Sequence, residues 1–496
     1  MMRSLFIIFF FLSPNLFCQE EILSNLVSNP SLQDAKFIYE YQKSAIDLPF
    51  FDDFSYNTPV ADNKLWLNSS VFVNRTYALN PPTVGVATFD GLDENGLARD
   101  FYQFNSTDPS DTLLSQIIDL SLVNKAYLMF YYQGQGIGDE PQTEDLLVLD
   151  FLNDSLVWEE VWFSNGKSMQ EFKKYVEFID QPRFLHNSFQ FRFRNYATLS
   201  GNFDHWHIDY IKLDEFILSS DTARLNDISF VYGATSFLNR YEQMPWSHFK
   251  NNSLSEMNDT AAILLRNNGV LNTVSIGYQY KVFEDNIQIA YYPSLTDSTW
   301  RSPDPPTSFL DYDLIGNFQF NNPSVDIANS LFITPQTLLK SDSVSFLIQH
   351  IIRNGQQQDN WWNDTLYYNQ QFNSCFAYDD GVAEAAYGIN VSGASLAYQF
   401  KLNRPDILRA VQIYFPQMLA SVDHIKFDLT VWDDNGGRPG TIIYQKEVTP
   451  RHTENGEYHY YYLDSILQIN NYIFYVGWVQ QTDDLLNVGL DKNKSA

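Results

Sequence analysis

Phe189-Gln190-Phe191-Arg192-Phe193-Arg194 alternates an aromatic ring with a polar side chain at every step. Successive side chains of a strand point to opposite faces, so this stretch has one dry face and one wet face. It reads as a strand from a sheet packed on one side. The same grammar extends outward from it. Ala126–Tyr132, Asp145–Phe151 and Leu156–Phe163 are short apolar or alternating runs upstream, and Trp206–Leu213 closes the series downstream. Turn-forming residues punctuate the gaps between them. Residues 46–218 are therefore expected to form one β-sandwich, beginning near Leu48-Pro49-Phe50-Phe51-Asp52-Asp53-Phe54.

Two further segments follow. Ile263–Gly269 and Val274–Val282 read as strand, turn and strand, and Ser343–His350 as a later strand. Their spacing suits an immunoglobulin-like sandwich over 219–372, without the Cys and Trp marks of antibody domains. The proline-rich stretch Pro303–Ser308 reads as an exposed connection. Beyond Cys375, Leu408–Phe415 and Phe427–Trp432 alternate, and the dense turn Asp433–Gly440 leads into Thr441–Tyr444. No long-period repeat is visible. The expected class is all-β: three sandwiches in series, a jelly roll over 46–218, the immunoglobulin-like unit over 219–372 and a second jelly-roll-like module over 373–496, with few helices.

Composition narrows the function. A net charge of −29 and a pI near 4.4 repel a polyphosphate backbone, and no Lys/Arg stripe offsets that, so nucleic acid is excluded as a partner. Aromatic residues make up 16% of the chain, chiefly Phe and Tyr, which favours strands. The two cysteines, Cys18 and Cys375, give no disulfide framework, so hydrophobic cores must hold the modules.

The first residues form a secretory signal layout: basic Met1-Met2-Arg3, an apolar run Ser4–Leu12, the breakers Ser13-Pro14-Asn15, and a small residue, Cys18, before Gln19. The run is too short to span a bilayer, which takes about 20 residues, and no later stretch reaches that length. Phe17 is bulky where lipidation at Cys18 would require a small neighbour. Residues 1–18 are thus expected to be a signal peptide, 19–45 a lead-in, and the protein exported to the cell surface or medium.

Several short motifs carry a resemblance. Asp52-Asp53-Phe54, Gly85-Val86-Ala87-Thr88-Phe89-Asp90-Gly91, Asp111-Thr112-Leu113 and Trp206-His207-Ile208-Asp209-Tyr210-Ile211 resemble the jelly-roll modules of Bacteroidota surface proteins, similar to cleaved-adhesin and MAM-like domains. Tyr378-Asp379-Asp380-Gly381-Val382-Ala383-Glu384, with Tyr387-Gly388, resembles a module found downstream in such proteins. The resemblance implies type IX secretion and a cell-surface or extracellular role. Members usually end in a C-terminal sorting domain. Here the sequence runs out at Leu490–Ala496, inside the expected third module, so either the chain is a fragment, which is the expectation, or the protein is not handled by that pathway. The Asp-Ser/Thr-aliphatic triplets at 111–113, 154–156, 221–223, 259–261, 342–344 and 364–366 resemble O-glycosylation acceptors of exported Bacteroidota proteins, although Asp-Ser/Thr turns alone also generate them.

Candidate sites are few. If the first and last strands of the jelly roll lie side by side, Asp52 or Asp53 approaches Asp204 or Asp209, a hard-oxygen set suited to structural calcium; Asp379, Asp380 and Glu384 offer a second set. On a regular strand His205, His207 and Asp209 share one face at a spacing zinc could use, against the alternative that Trp206, Ile208 and Tyr210 face the core. Gly134-Gln135-Gly136-Ile137-Gly138 is followed by Asp139-Glu140-Pro141 and not by a helix, so it is a loop and not a phosphate cradle. No HExxH, Gly-x-Ser-x-Gly or Cys/His pairing is present. Glu159 and Glu160 are adjacent and Asp209 and Asp214 five apart, so a regular strand puts each pair on opposite faces, unlike the facing carboxylates of a glycosidase. Trp361-Trp362 and Tyr367-Tyr368 could stack on sugar rings, against the alternative that one residue of each pair is buried. The expected function is a non-catalytic adhesion or scaffold protein with surface glycans or other surface proteins as partners. Carbohydrate-binding accessory protein is the alternative, and a hydrolase with a carboxylate pair assembled in space is a third.

Overall fold

The computed structural model describes residues 21–33, 35, 38–40, 42, 44–103, 107–221, 227–258, 262–268, 276–292, 317–321, 337, 339–340, 343–354, 360–417, 424–453 and 456–493. The signal layout at 1–18 and the Pro303–Ser308 connection lie outside them. Within them the protein is all-β, with antiparallel sheets and only short helical turns. Among the described residues no helix is long and apolar enough to cross a membrane.

The first module packs a six-stranded sheet on a five-stranded one. In the first sheet Lys173–Ile179, Ala126–Gly134, Trp206–Glu215, Val86–Phe89 and Phe72–Asn74 follow one another, and Phe50–Asp52 pairs with Trp206–Glu215. The second sheet runs Trp66–Ser69, Thr107–Ser115, Phe191–Thr198, Leu146–Leu152, Trp158–Asn165. The alternation at 191–194 does what the period requires. Phe191 and Phe193 are fully buried, and Arg192 and Arg194 face outward onto Asp150 at 2.8 and 2.7 Å. Rings of both sheets meet edge to face in the core, Phe50 with Trp66 and with Phe191 at 5.2 Å and Phe130 with Phe193 at 4.8 Å. Each such side chain contributes roughly 1.5–3 kcal/mol by leaving water.

The second module sets Ile228–Phe230, Ala262–Asn267 and Asn317–Asn321 against a five-stranded sheet of Met244–Pro245, Thr365–Asn373, Val344–Asn354, Ile276–Glu284 and Ile287–Tyr292. Trp246, Phe249, Phe346 and Phe372 form its aromatic centre. The third module has a four-stranded sheet, Ser395–Lys401, Ile473–Gln480, Phe427–Asp434 and Pro439–Val448, and a two-stranded one, Asp406–Ile413 with His459–Ile469. A further three-stranded sheet places Ala385–Ile389 between Leu486–Leu490 and, from the far end of the chain, Glu21–Ser24.

That last pairing gives the lead-in a structural task. Ile22 pairs with Gly388, and Asn487 Nδ2 donates to Ser24 Oγ at 2.7 Å. A few residues on, the same segment is hydrogen-bonded to the first module: Asn202 N donates to Leu26 O at 2.9 Å and Asn29 N to Gly96 O at 2.7 Å. Leu26, Val27 and Leu32 are buried. One short stretch thus fastens the first module to the third.

Candidate functional site: the buried acidic seam and the exposed aromatics

Strand Trp206–Glu215 organises the acidic residues. Trp206 and Ile208 enter the sandwich core, so His207 and Asp209 face the other way. Between Asp209 and Lys212 the register with Ala126–Gly134 slips, and Tyr210 takes a positive φ of 56°. This bulge turns Asp209 and Tyr210 outward together and returns Ile211 and Leu213 to the core. Asp209 and Asp214 consequently lie on the same face, against the expectation for a regular strand. They form no pair, because Asp209 is held by Thr83 and Asp214 by Lys212 at 3.0 Å.

The outer face of this sheet is covered by residues 77–84 and by the second module. Thr83 N donates to Asp209 Oδ2 at 2.9 Å, and the Thr83 hydroxyl lies 3.1 Å from both Asp209 oxygens and 2.9 Å from Asp53 O. Asp53 Oδ2 accepts from Asn360 Nδ2 at 2.6 Å and Asn363 Nδ2 at 3.1 Å. Asn363 also donates to Asp227 Oδ2 at 3.1 Å, which accepts the Tyr210 hydroxyl at 3.0 Å. Ser229 Oγ and Asn268 Nδ2 donate to Pro82 O. Burial raises the carboxyls of Asp53 and Asp209, and each is raised further or held down by the neighbours just named. Arg266 is buried here too; burial pulls its guanidinium down to about 9 despite Asp209 nearby. Asp227, Asn360 and Asn363 drew no attention in the sequence, since nothing local marks the two asparagines as partners of Asp53 or Asp227 as a partner of Tyr210.

The four acids considered for calcium do not meet at one point. Asp53 and Asp209 come together around Thr83. Asp52, the last residue of the strand Phe50–Asp52 and immediately before Asp53, faces the opposite way and accepts Trp66 Nε1 at 2.7 Å and Phe54 N at 3.0 Å; burial pushes it up to about 7. Asp204 sits at the start of the last strand, accepts Thr198 N at 2.7 Å, and is raised to about 7 by burial and then by Asp145 and Asp139. The carboxylates of Asp53 and Asp209 face N–H donors, whereas calcium takes lone pairs, so the residues present do not fit that ion as a four-ligand set. Among the described residues no group of three or more His, Cys, Asp or Glu side chains is placed to hold a metal. The second acidic set is likewise engaged. Glu384 accepts Lys492 N at 2.9 Å and Asn493 Nδ2 at 3.0 Å, Asp491 accepts Asp380 N at 2.9 Å, and the Tyr458 hydroxyl donates to Asp379.

The histidines are structural. His205 Nδ1 accepts Asp139 N at 2.8 Å and its ring stacks on Tyr77 at 5.2 Å. His207 Nδ1 lies 2.9 Å from Thr88 Oγ1, with Nε2 3.2 Å from Gln135 O. Burial pulls them down to about 3 and about 4. The glycine loop 134–138 closes directly over them. A Cβ at Gly138 would stand 2.6 Å from the His205 ring, and one at Gly136, where φ is +58°, would stand 2.6 Å from His207 Nε2. At Gly138 the His205 ring leaves no room for a side chain; at Gly136 the Tyr77 carbonyl, His207 and the positive φ together exclude one.

Glu159 and Glu160 separate, to Arg183 at 2.9 Å and Arg194 at 3.7 Å. Cys375 is partly buried beside Gln243 Nε2, and burial raises its thiol. Of the triplets, Ser155 stands exposed on a turn, whereas Asp111 is buried in a paired strand. The tyrosines divide one out and one in: Tyr367 is 57% exposed and Tyr368 donates to Glu242 Oε2 at 2.6 Å. The tryptophans do not. Trp361 and Trp362 are 76% and 86% exposed.

No family model matches the chain, and no curated protein matches it. Solved structures similar to part of it include a family 16 carbohydrate-binding module (10% identity, 30% of this chain and 90% of that one, TM-score 0.21). The K1 cleaved adhesin domain of Lys-gingipain from Porphyromonas gingivalis is another (10% identity, 34% and 99%, TM-score 0.23). The CBM22-1 xylan-binding domain from Paenibacillus barcinonensis is a third (8% identity, 36% and 99%, TM-score 0.20). The all-β class stands on the sheets described above.

Proposed function

We propose that the chain is a non-catalytic adhesion or scaffold protein, exported through its N-terminal leader to the outer surface or the medium. The resemblance of its motifs to Bacteroidota surface proteins points to the type IX route. One observation carries the reading. The buried carboxylates of the first seam are engaged in structure: Asn363 bonds Asp53 across it and also Asp227, and Asp209 is held by Thr83 inside the first module. The second seam is built the same way: Tyr241 and Lys401 exchange hydrogen bonds at 2.9 Å, and His248 Nε2 meets Asp406 Oδ2 at 2.6 Å. Hydrogen bonds of this kind between modules, buried in the first seam and part-buried in the second, fix how the sandwiches sit on one another. Such an array presents surfaces.

The test is retention of the labelled full chain on intact cells and on immobilised surface polymers, with polymer length followed by size-exclusion chromatography. Saturable retention with unchanged polymer length is expected. Progressive shortening that a carboxylate substitution abolishes would overturn the reading. Carbohydrate binding is the second reading, favoured by the exposure of Trp361 and Trp362 side by side.

A further inference from the structure

Two adjacent tryptophans at 76% and 86% exposure leave large apolar rings in water, and the turn that carries them is rigidly held. Trp361–Asn363 is a single helical turn. Asn360 caps it, its side chain accepting Trp362 N at 3.4 Å, while the same side chain donates to Asp53 Oδ2 at 2.6 Å. Asn363 closes the other end, fully buried and bonded to both Asp53 and Asp227. The two asparagines bracket the tryptophans and anchor them into the first module, so the rings are displayed and not loose.

The turn leads straight into Thr365–Asn373, which pairs with Val344–Asn354. Leu366, Phe372, Val344, Phe346 and Ile348 enter the core, so the alternate residues form the outer face. That face presents Ser345, Leu347, Gln349, Tyr367, Asn369 and Gln371. Across the paired stretch 345–351 and 365–371 no outward side chain is charged, in a chain of net charge −29. The polar groups are ordered among themselves: Gln349 Nε2 donates to the Tyr367 hydroxyl at 3.1 Å, and Ser345 Oγ to Asn369 Oδ1.

We propose that this sheet face, with Trp361 and Trp362 at its end, binds an uncharged polysaccharide. Indole and phenol rings stack on the C–H faces of sugar rings, and amide and hydroxyl side chains match sugar hydroxyls as both donors and acceptors. The occupant is neutral because the stretch 345–351 and 365–371 is itself uncharged, its flanking cations being Lys281 opposite Gln349 and Arg353 beyond Ile351, and the chain as a whole repels polyanions. The inference rests on the binding-protein reading and gives it a site and a substrate class.

The experiment is affinity electrophoresis of the full chain in native gels containing hydroxyethylcellulose, xylan, galactomannan or, as the charged counterpart, polygalacturonate. The chain is expected to be retarded by at least one neutral polymer and not by polygalacturonate. W361A/W362A should raise that Kd at least tenfold, and Tyr367→Ala should raise it less, with unfolding temperatures unchanged because all three side chains are exposed. Unchanged retardation of W361A/W362A overturns this face and leaves a binding protein standing. Retardation by polygalacturonate alone, or by no polymer, overturns the inference; the binding-protein reading falls as well only if the chain is also not retained on cells.

Discussion

Asn363 of the second module holds Asp53 of the first: its Nδ2 lies 3.1 Å from the Asp53 carboxylate, across 310 residues of sequence. The same nitrogen reaches Asp227 at 3.1 Å, so one amide satisfies two buried carboxylates on two modules. Replacing it with leucine keeps the volume and removes the donor. Asn363→Leu is expected to cost about 1–3 kcal/mol in chemical unfolding and to speed hydrogen exchange around Asn80–Thr83, where the second module covers the first. Unaltered exchange there would show that the seam does not depend on this amide.

The Asp52 carboxyl is raised from 3.8 to about 7 by burial. The folded state therefore holds a proton there that the unfolded state has released, and this group favours folding most below pH 4. Its contribution falls as pH rises through about 7. Asp52→Asn should remove that slope: wild-type stability minus variant stability should grow by a few kcal/mol from pH 7 to pH 4. A difference independent of pH would mean that Asp52 is ionised in the fold.

His205 and His207 behave in the opposite sense. Burial depresses them to about 3 and about 4, so their contribution is complete above the unfolded value of 6.5 and drains away as pH falls toward 4 and 3. Nitrogen-15 NMR of the folded chain at pH 5 should show both rings neutral. Two protonated rings at that pH would contradict the packing of the 134–138 loop over them.

Gly138→Ala forces a methyl into the His205 ring and should destabilise the first module by about 1–3 kcal/mol. Gly233→Ala, with no atom within 4 Å of its Cβ position, should stay within about 0.5 kcal/mol of wild type. Equal effects in thermal unfolding would count against a tight loop.

Removing residues 19–24 strips the partner from one edge of Ala385–Ile389. The unfolding temperature should fall, and light scattering should reveal concentration-dependent association through the bared edge. A monomeric chain of unchanged stability would show that the first strand is dispensable.

The all-β class was legible in the sequence because the side-chain period of a strand is local: 189–194 declares its two faces without reference to anything else. So was the division of Tyr367 from Tyr368. The relationships that decide the candidate sites were not local. A bulge at Tyr210 reversed the facing of Asp214 relative to Asp209, and alternation cannot announce an inserted residue. Asp52 and Asp53 were grouped as adjacent acids, yet Asp52 ends its strand facing Trp66 while Asp53, just past the strand end, faces Asn360 and Asn363. Trp361 and Trp362 escaped the one-in, one-out rule because they lie on a helical turn before the strand and not in it.

The sheet that joins Glu21–Ser24 to Ala385–Ile389 also has a timetable. Two whole sandwiches separate these strands in the sequence, so their pairing closes a very long loop. Completing that sheet is a long-range contact, of the kind that forms slowly. Until it forms, the edge of Ala385–Ile389 that Glu21–Ser24 covers stands open to pairing with another chain.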